Sequence, residues 1–460
     1  MLREDQLETA KKLLNLLREG GITGLQAPTG WGKSYVAAYI ARELGGKWAW
    51  ASSLISALTT ASSALREFGV KSYLSVGRER LCTRGYRHAD FIVRKPCTNC
   101  QLNTRPPRGM VKALIGATDY SEVKGLAEEG GLCPYNVQEA LIKELLSKYD
   151  DVVILMNYGR LGKYAERVGG IIIDEAHNAV IPRLVTIPRK TLEQLLDRLG
   201  VRGIDARNAE VVKGVLSEHL LTIAMDEEAN ELVNLDDAAA LVESQVAYYD
   251  QDQDAVIGVR VEGLPQINGK RVILMSATLP PSILQSMPVV RIEPTQHINA
   301  IIPRGAIPIT VQSIQNQRDK ITALLREYLN EPAVIFTTSS KDVYAEGVVY
   351  ESDVRSIEEV CGKATLVLNY FGRFSEGVRL NKCFRKAILY TLPLLPPHVM
   401  RRLRARGVSE EDLAVLKTVQ AIGRVLPNED AEVILLDKRF KQYCAALMNY
   451  GIQCIDKNQQ

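Results

Sequence analysis

The sequence predicts an α/β protein built on parallel sheets. Three observations carry this. Short apolar runs alternate with stretches of helical spacing along much of the chain. An early apolar run opens into a glycine-rich loop and then a helix. A later one, Gly169-Gly170-Ile171-Ile172-Ile173, ends in two carboxylates. The carboxyl edge of a parallel sheet is where such folds bind ligands.

The loop is Gln26-Ala27-Pro28-Thr29-Gly30-Trp31-Gly32-Lys33-Ser34. Gly21 to Leu25 reads as the strand before it, and Tyr35 to Leu44 as the helix after it, stopped at Gly45-Gly46. This is the context of a phosphate-binding loop. Gly30 and Gly32 let backbone N–H groups close on phosphates, Lys33 reaches the β- and γ-phosphates, and the Ser34 hydroxyl suits Mg²⁺. Ala27 stands where such loops usually begin with glycine. Upstream, Gln6 on an amphipathic helix is a candidate adenine reader; its plainer reading is a solvated side chain. The later strand ends in Asp174-Glu175-Ala176-His177. Asp174 is suited to the Mg²⁺ that Ser34 also touches, and Glu175 to orienting or deprotonating a water. A further strand runs into Ser276-Ala277-Thr278, whose hydroxyls can link the nucleotide site to a neighbouring element.

The totals narrow the class. At 460 residues the chain has room for roughly three domains. Net charge is only +3, so nucleic-acid binding must rest on local patches. No signal peptide or membrane-spanning run is expected, so the protein should stay where it is made, in the cytoplasm (nucleoid-associated) or the nucleus. Eight cysteines in this length are not a disulfide scaffold, and clustered ones suggest a metal.

At Cys82 the alternation breaks. Cys82, Cys97, Cys100 and Cys133 are spaced x14, x2, x32. Four thiolates with one close pair suit a structural zinc or an iron–sulfur cluster, and the asymmetry leans toward the cluster. Residues 84–112 carry seven basic residues against Asp90, with Tyr86 and Phe91 between them. Cationic surface with aromatic faces suits single-stranded nucleic acid. Residues 179–265 are dominated by helical spacing and hold sixteen acids against eight bases. This reads as an acidic helical insert, solvated or facing a protein partner. Beyond the proline-rich stretch 281–308, strands at 333–336, 364–368, 387–390 and 432–436 predict a second α/β lobe. It carries the loop Gly372–Leu380 and the segment Gln420-Ala421-Ile422-Gly423-Arg424-Val425-Leu426-Pro427. An arginine presented across a cleft is what phosphoryl transfer requires. Cys361, Cys383, Cys444 and Cys454 have no ligand spacing and read as core residues.

The order of these motifs resembles the XPD/DinG group of superfamily-2 DNA helicases, the XPD type in particular. The most specific stretches are Gly77-Arg78-Glu79-Arg80-Leu81-Cys82, Cys133-Pro134-Tyr135, Asp174-Glu175-Ala176-His177-Asn178 and Val433 to Phe440. The resemblance implies two RecA-like lobes with ATP and Mg²⁺ between them. Lys33, Asp174, Glu175, Gln420 and Arg424 would serve catalysis, with Gln6, Gly30, Gly32, Lys33 and Ser34 on the nucleotide. It implies a [4Fe–4S] cluster on Cys82, Cys97, Cys100 and Cys133. Lobe 1 would span 1–80, 135–178 and 266–300, interrupted by a cluster domain at 81–134 and a short arch-like helical insert at 179–265. Lobe 2 would span 301–460. The expected activity is ATP-driven 5′-to-3′ movement on single-stranded DNA, with forked or tailed duplex split near the cluster by a monomer. Two departures touch the ATP cleft: Arg379 replaces a usual acid, and Pro427 a usual second arginine. They leave room for two rival readings, a DNA-stimulated ATPase that remodels nucleoprotein without unwinding, and a nucleic-acid-binding iron–sulfur protein with impaired turnover.

Overall fold

The structure is a computed structural model. It describes residues 2–458 except 19, 29, 252, 264–268, 294–296, 373, 375–379 and 426–430.

The first lobe holds β1 (Gly21–Gln26), β2 (Lys47–Ser52), β3 (Ser72–Leu74), β4 (Val152–Asn157) and β5 (Gly170–Asp174). An insert then contributes β6 (Arg183–Pro188), β7 (Val246–Asp250) and β8 (Ala255–Arg260). β9 (Arg271–Ser276) and β10 (Val289–Arg291) complete a seven-stranded parallel sheet, in the order β10-β1-β9-β5-β2-β4-β3. Its strands are buried on both faces, so alternate residues enter different cores. Ala49, Ala51, Ile154, Ile171 and Ile173 point to one side, with the helix Pro134–Lys148 over them. Trp48, Trp50, Val153, Leu155 and Ile172 point to the other, under the helices Glu4–Arg18, Lys33–Leu44 and Ile55–Glu67.

The second lobe repeats the plan. Its strands are β11 (Ile298–Ile302), β12 (Val334–Thr337), β13 (Val348–Tyr350), β14 (Thr365–Asn369), β15 (Lys386–Leu389), β16 (Glu432–Leu435) and β17 (Ile452–Asp456). They form a parallel sheet ordered β13-β14-β12-β15-β16-β11-β17. All four strands expected here are present, within a residue or two. β11, β13 and β17 were not foreseen; β13 and β17 are short edge strands without a long apolar run. β11 moves the handover between lobes to the stretch between Arg291 and Ile298, slightly earlier than residue 300. The lobes touch directly: Gln26 Nε2 donates to the Asn449 carbonyl at 3.0 Å, and Arg291 Nη1 to Asn449 Oδ1 at 2.7 Å.

Two expectations need correction. Helices supply most of the regular structure of the insert after residue 179, but it also contains the antiparallel sheet β6-β8-β7. Asp250 and Asp254 flank the turn of the β7–β8 hairpin, with Asp254 in the left-handed region at φ 47°. One face of this sheet (Ile187, Ala247, Val256) packs on the insert's own helices. The other (Val246, Tyr248, Ile257, Val259) packs on Val399, Met400, Leu403 and Leu413 of lobe 2. Arg402 of lobe 2 adds a 2.6 Å ion pair to Glu210. The insert leaves lobe 1 in sequence and is seated on lobe 2 in space.

The second correction concerns the cysteines of lobe 2. Cys361 pairs with Cys383 and Cys444 with Cys454, while Cys82, Cys97, Cys100 and Cys133 are free. The bridged Cα atoms lie 4.5 and 5.7 Å apart, within disulfide reach. Spacings of 22 and 10 residues hid these pairs, because strand pairing rather than sequence proximity brings their ends together. Closing loops of this size stabilises a fold by about 2–4 kcal/mol. Cys361→Ser and Cys444→Ser should each lower the denaturant midpoint of non-reduced protein. Midpoints unmoved by both substitutions would mean that these thiols are not bridged in solution.

Candidate nucleotide and nucleic-acid site

The register of three neighbouring strands assembles the first half of the site. Gln26 at the end of β1 lies opposite Ser276 at the end of β9. Asp174 at the end of β5 lies opposite Met275, one residue back. With strands about 4.8 Å apart, the loop after β1, the carboxylates after β5 and the hydroxyls after β9 converge on one edge.

The glycine-rich loop folds as the sequence requires. Gly30 and Gly32 sit at φ 82° and 103°, where a side chain is strained. A Cβ on Gly32 would clash with the Gln6 side-chain amide. Gln6 is therefore not solvated. It is buried, accepts from the Arg3 N–H at 2.9 Å and donates to the Trp31 carbonyl at 2.7 Å. Arg3 Nη2 also donates to that carbonyl, and Trp31 Nε1 donates to Asp5 at 2.9 Å. The first helical turn thus grips the loop. Lys33 opens the following helix, is 8% exposed, and donates to the Ala27 carbonyl at 3.0 Å. Burial lowers its pKa, while Glu175 and Asp174 act against that shift. Ser34 follows it, half-buried.

Asp174 is 5% exposed. Burial and the adjacent Glu175 push its carboxyl up to about 6, against the pull of Lys33. A divalent cation there would favour the ionised form. Glu175 has φ 50° and ψ 47°, a left-handed conformation that costs a non-glycine residue energy and often marks a functional turn. Tyr158 holds this turn by donating to the carbonyls of Asp174 and Glu175. Burial, then the two carboxylates, raises its hydroxyl pKa far above the usual range. His177 Nδ1 lies 2.8 Å from Ser276 Oγ and 3.3 Å from Glu175 Oε2. Ser276 Oγ also accepts the Thr278 N–H at 3.0 Å, and the Ser276 carbonyl accepts the Ala27 N–H at 3.2 Å. Ser276 therefore joins the phosphate loop to the carboxylate turn.

Tyr158 was missed by sequence reasoning. Its only signal was its place just after β4, at the same sheet edge.

In lobe 2, Gln420 and Arg424 lie one helical turn apart on the helix Glu410–Val425 and line a small cavity with Lys417, Asn369 and Tyr370. Gln420 Oε1 is buried without a hydrogen-bond partner. Arg424 Nη1 donates to the Phe374 carbonyl in its own lobe. Arg379 and Pro427 lie outside the described residues.

The four free cysteines line one cavity of about 20 Å³ together with Arg78, Tyr86 and Phe91. Burial raises the Cys97 thiol, and Arg78 opposes it. A set of thiols facing one space, without a carboxylate among the lining residues, fits a thiolate-held group. Among the described residues no three ligands stand in ready metal-holding geometry. Beside the cavity, the Tyr135 ring carries Arg78 at 4.6 Å and Arg160 and Lys163 at 5.6 Å. Glu139 accepts from Arg160 at 2.5 Å and from Tyr164 at 2.7 Å, fixing the lobe 1 helix Pro134–Lys148 into which the cysteine insert runs. The basic stretch is partly neutralised, since Arg94 pairs with Asp90 at 3.2 Å; Arg84, Arg87, Arg105 and Arg108 are exposed.

A larger cavity, about 1360 Å³, separates β6 of the acidic insert from lobe 2. Arg183, Lys341, Lys417, Tyr344, Tyr350 and Phe371 line it. No helix among the described residues is long and apolar enough to cross a membrane.

No family model and no curated protein matches the sequence. Solved structures do. An XPD helicase superimposes with a TM-score of 0.63 at 18% identity, over 99% of this chain and all of the other. An apo XPD gives 0.54 at 15%, over 98% and 100%. S. tokodaii Xpd4 gives 0.51 at 18%, over 98% and 100%. At these identities the likeness is one of fold, and by its two parallel-sheet lobes and their inserts this chain has the fold of the XPD-type helicases.

Proposed function

We propose that this protein is an ATP-driven helicase of the XPD type, moving 5′ to 3′ on single-stranded DNA. The observation that supports it most is the convergence of the glycine-rich loop, Asp174-Glu175 and Ser276 on one sheet edge, with Lys33 buried against both carboxylates' field.

In this reading the N–H groups around Gly30 and Gly32 bind the phosphates of ATP. Lys33 leaves the Ala27 carbonyl to neutralise β/γ charge. Ser34 and Asp174 would hold Mg²⁺, which when bound offsets charge on the phosphate oxygens. Glu175, fixed by Tyr158 and His177, orients the attacking water and takes its proton. Gln6 reads the adenine from its place beside the loop. Arg424, supplied from lobe 2 when the lobes close, stabilises the transferring phosphoryl group, and Gln420 Oε1 faces the same space. Strand contact runs along the cationic and aromatic lining between β6 and lobe 2, and past Tyr135 and the exposed arginines of the cysteine insert. Cys82, Cys97, Cys100 and Cys133 would hold a [4Fe–4S] cluster that braces this insert at the point of duplex separation. The acidic face of residues 179–265 is left for protein partners.

Lys33→Ala should abolish ATP hydrolysis, and Glu175→Gln should retain nucleotide binding while stalling turnover. Steady-state hydrolysis with and without single-stranded DNA, beside strand displacement on 5′- and 3′-tailed duplexes, tests the reading. Near-normal turnover in both variants would remove the ATPase. Stimulation by DNA without strand displacement would favour nucleoprotein remodelling over unwinding.

Cys97→Ser should lose iron, acid-labile sulfide and the visible absorption of anaerobically purified protein, and should destabilise the insert. One stoichiometric zinc in colourless wild-type protein would replace the cluster with a structural zinc.

Arg84→Glu with Arg105→Glu should weaken single-strand affinity. Each lost phosphate contact should reduce the log–log salt slope by about 0.7. An unchanged slope would make this stretch a solvated surface.

A further inference from the structure

Asp412 is 2% exposed, yet the reaction described above gives it no task. It lies in the first turn of the lobe 2 helix Glu410–Val425, whose last turns carry Gln420 and Arg424. Its carboxylate does not serve its own lobe alone. Oδ1 accepts the Ser282 N–H at 2.9 Å, and Oδ2 accepts the Ser282 hydroxyl. Ser282 belongs to lobe 1, in the short helix Pro281–Ser286 that follows the Ser-Ala-Thr segment. A buried carboxylate bonded twice to one residue across a domain boundary fixes both position and direction.

The lobe 1 side of this contact leads back to the nucleotide site without a gap. Glu175 meets His177, His177 meets Ser276, and Ser276 accepts the Thr278 N–H. Leu279 next in line offers its carbonyl to Tyr450 of lobe 2. Three residues later Ser282 reaches Asp412. On the lobe 2 side, Arg424 lies twelve positions after Asp412 on the same helix, about 18 Å of a rigid rod at 1.5 Å per residue. Val415, Leu416 and Ile422 bury that rod in the core of its lobe.

We infer that Asp412 is a positioning residue for phosphoryl transfer: paired with Ser282, it ties the helix carrying Gln420 and Arg424 to the segment that senses the carboxylate turn. This rests on the ATPase reading proposed above. Neither residue is among those assigned above to nucleotide or strand binding. It acts by holding the register between the helix and the first lobe, so that the guanidinium arrives where transition-state charge develops. Tyr450 gives the same junction a second, buried point of contact, so the pair sets orientation without being the only bond between lobes.

The test is ATP turnover by full-length wild type, Asp412→Ala, Asp412→Asn and Ser282→Ala, with nucleotide affinity measured separately by fluorescent ATP-analogue binding. Asp412→Ala should lower kcat about 10- to 100-fold, the scale of a small misplacement of a reacting group. Nucleotide affinity should stay within about twofold of wild type, because the pair is assigned no part in ground-state nucleotide binding. Asp412→Asn keeps the shape and one acceptor and should lie between. The decisive arm is the Arg424→Ala background. There Asp412→Ala should add little further loss, because the residue acts through an arginine already removed. Equal losses in both backgrounds would make Asp412 a merely structural residue and overturn the inference, as would wild-type kcat in Asp412→Ala or Ser282→Ala. If Asp412→Ala fails to fold, Ser282→Ala and Asp412→Asn carry the same cycle. Wild-type protein that binds no nucleotide and hydrolyses none would instead overturn the ATPase reading, and this inference with it.

Discussion

Parallel pairing of β1, β9 and β5 is the constraint on which the candidate site depends. Hydrogen-bonded register sets which residues end level with one another, and here those residues are Gln26, Ser276 and Asp174. Their strands are apolar on both faces, so a slip of one residue would send Ile172 and Ile273 into the wrong core. The chemistry at the edge inherits that precision. Ser276 can bridge the loop backbone and His177 only because β9 lies between β1 and β5.

Strain and burial are concentrated at the same edge. Glu175 adopts a left-handed backbone, and Tyr158, half-buried and bonded to two successive carbonyls, supports it. Lys33 and Asp174 are both poorly solvated and each moves the other toward its charged form. The lysine is satisfied by the Ala27 and Pro28 carbonyls, which are weaker acceptors than an anion. The site thus holds a cation and a carboxylate in place at a cost that a charged ligand and its metal would relieve.

Much of this was legible in the sequence. Gly30, Gly32, Lys33, Asp174 and Glu175 stand where glycine chemistry and strand-end logic put them. The fold class followed from alternating apolar runs, because buried parallel strands leave a continuous signal. What could not be read was mostly non-local. The disulfide partners of lobe 2 are separated by strands and loops whose pairing decides their distance. Asp412 reads as one more acid in an Glu-Glu-Asp helix start until Ser282 of the other lobe is seen against it. The β7–β8 hairpin was a different failure. Val246-Ala-Tyr-Tyr and Ala255-Val-Ile-Gly-Val are short β-branched and aromatic runs on either side of a polar turn, and this was available. The helical stretches that precede it dominated the reading.

That hairpin changes what the insert is. Alternation sends Ala247 and Val256 toward the insert's helices, and Val246, Tyr248, Ile257 and Val259 toward the helix Pro397–Arg404. A sheet with two apolar faces must bury both, and the second face finds lobe 2 rather than the lobe it grows from. Meanwhile the helix His88–Val93 of the cysteine insert buries Ala89 in the acidic insert and donates its N–H to Asp236 at 3.1 Å. The two inserts leave the same lobe, after Leu74 and after Asp174, and meet again where Ala89 reaches Asp236. The first runs through Cys133 into the lobe 1 helix Pro134–Lys148, and the second shares a hydrophobic core with lobe 2, so the chain of contacts from one lobe to the other passes through both inserts.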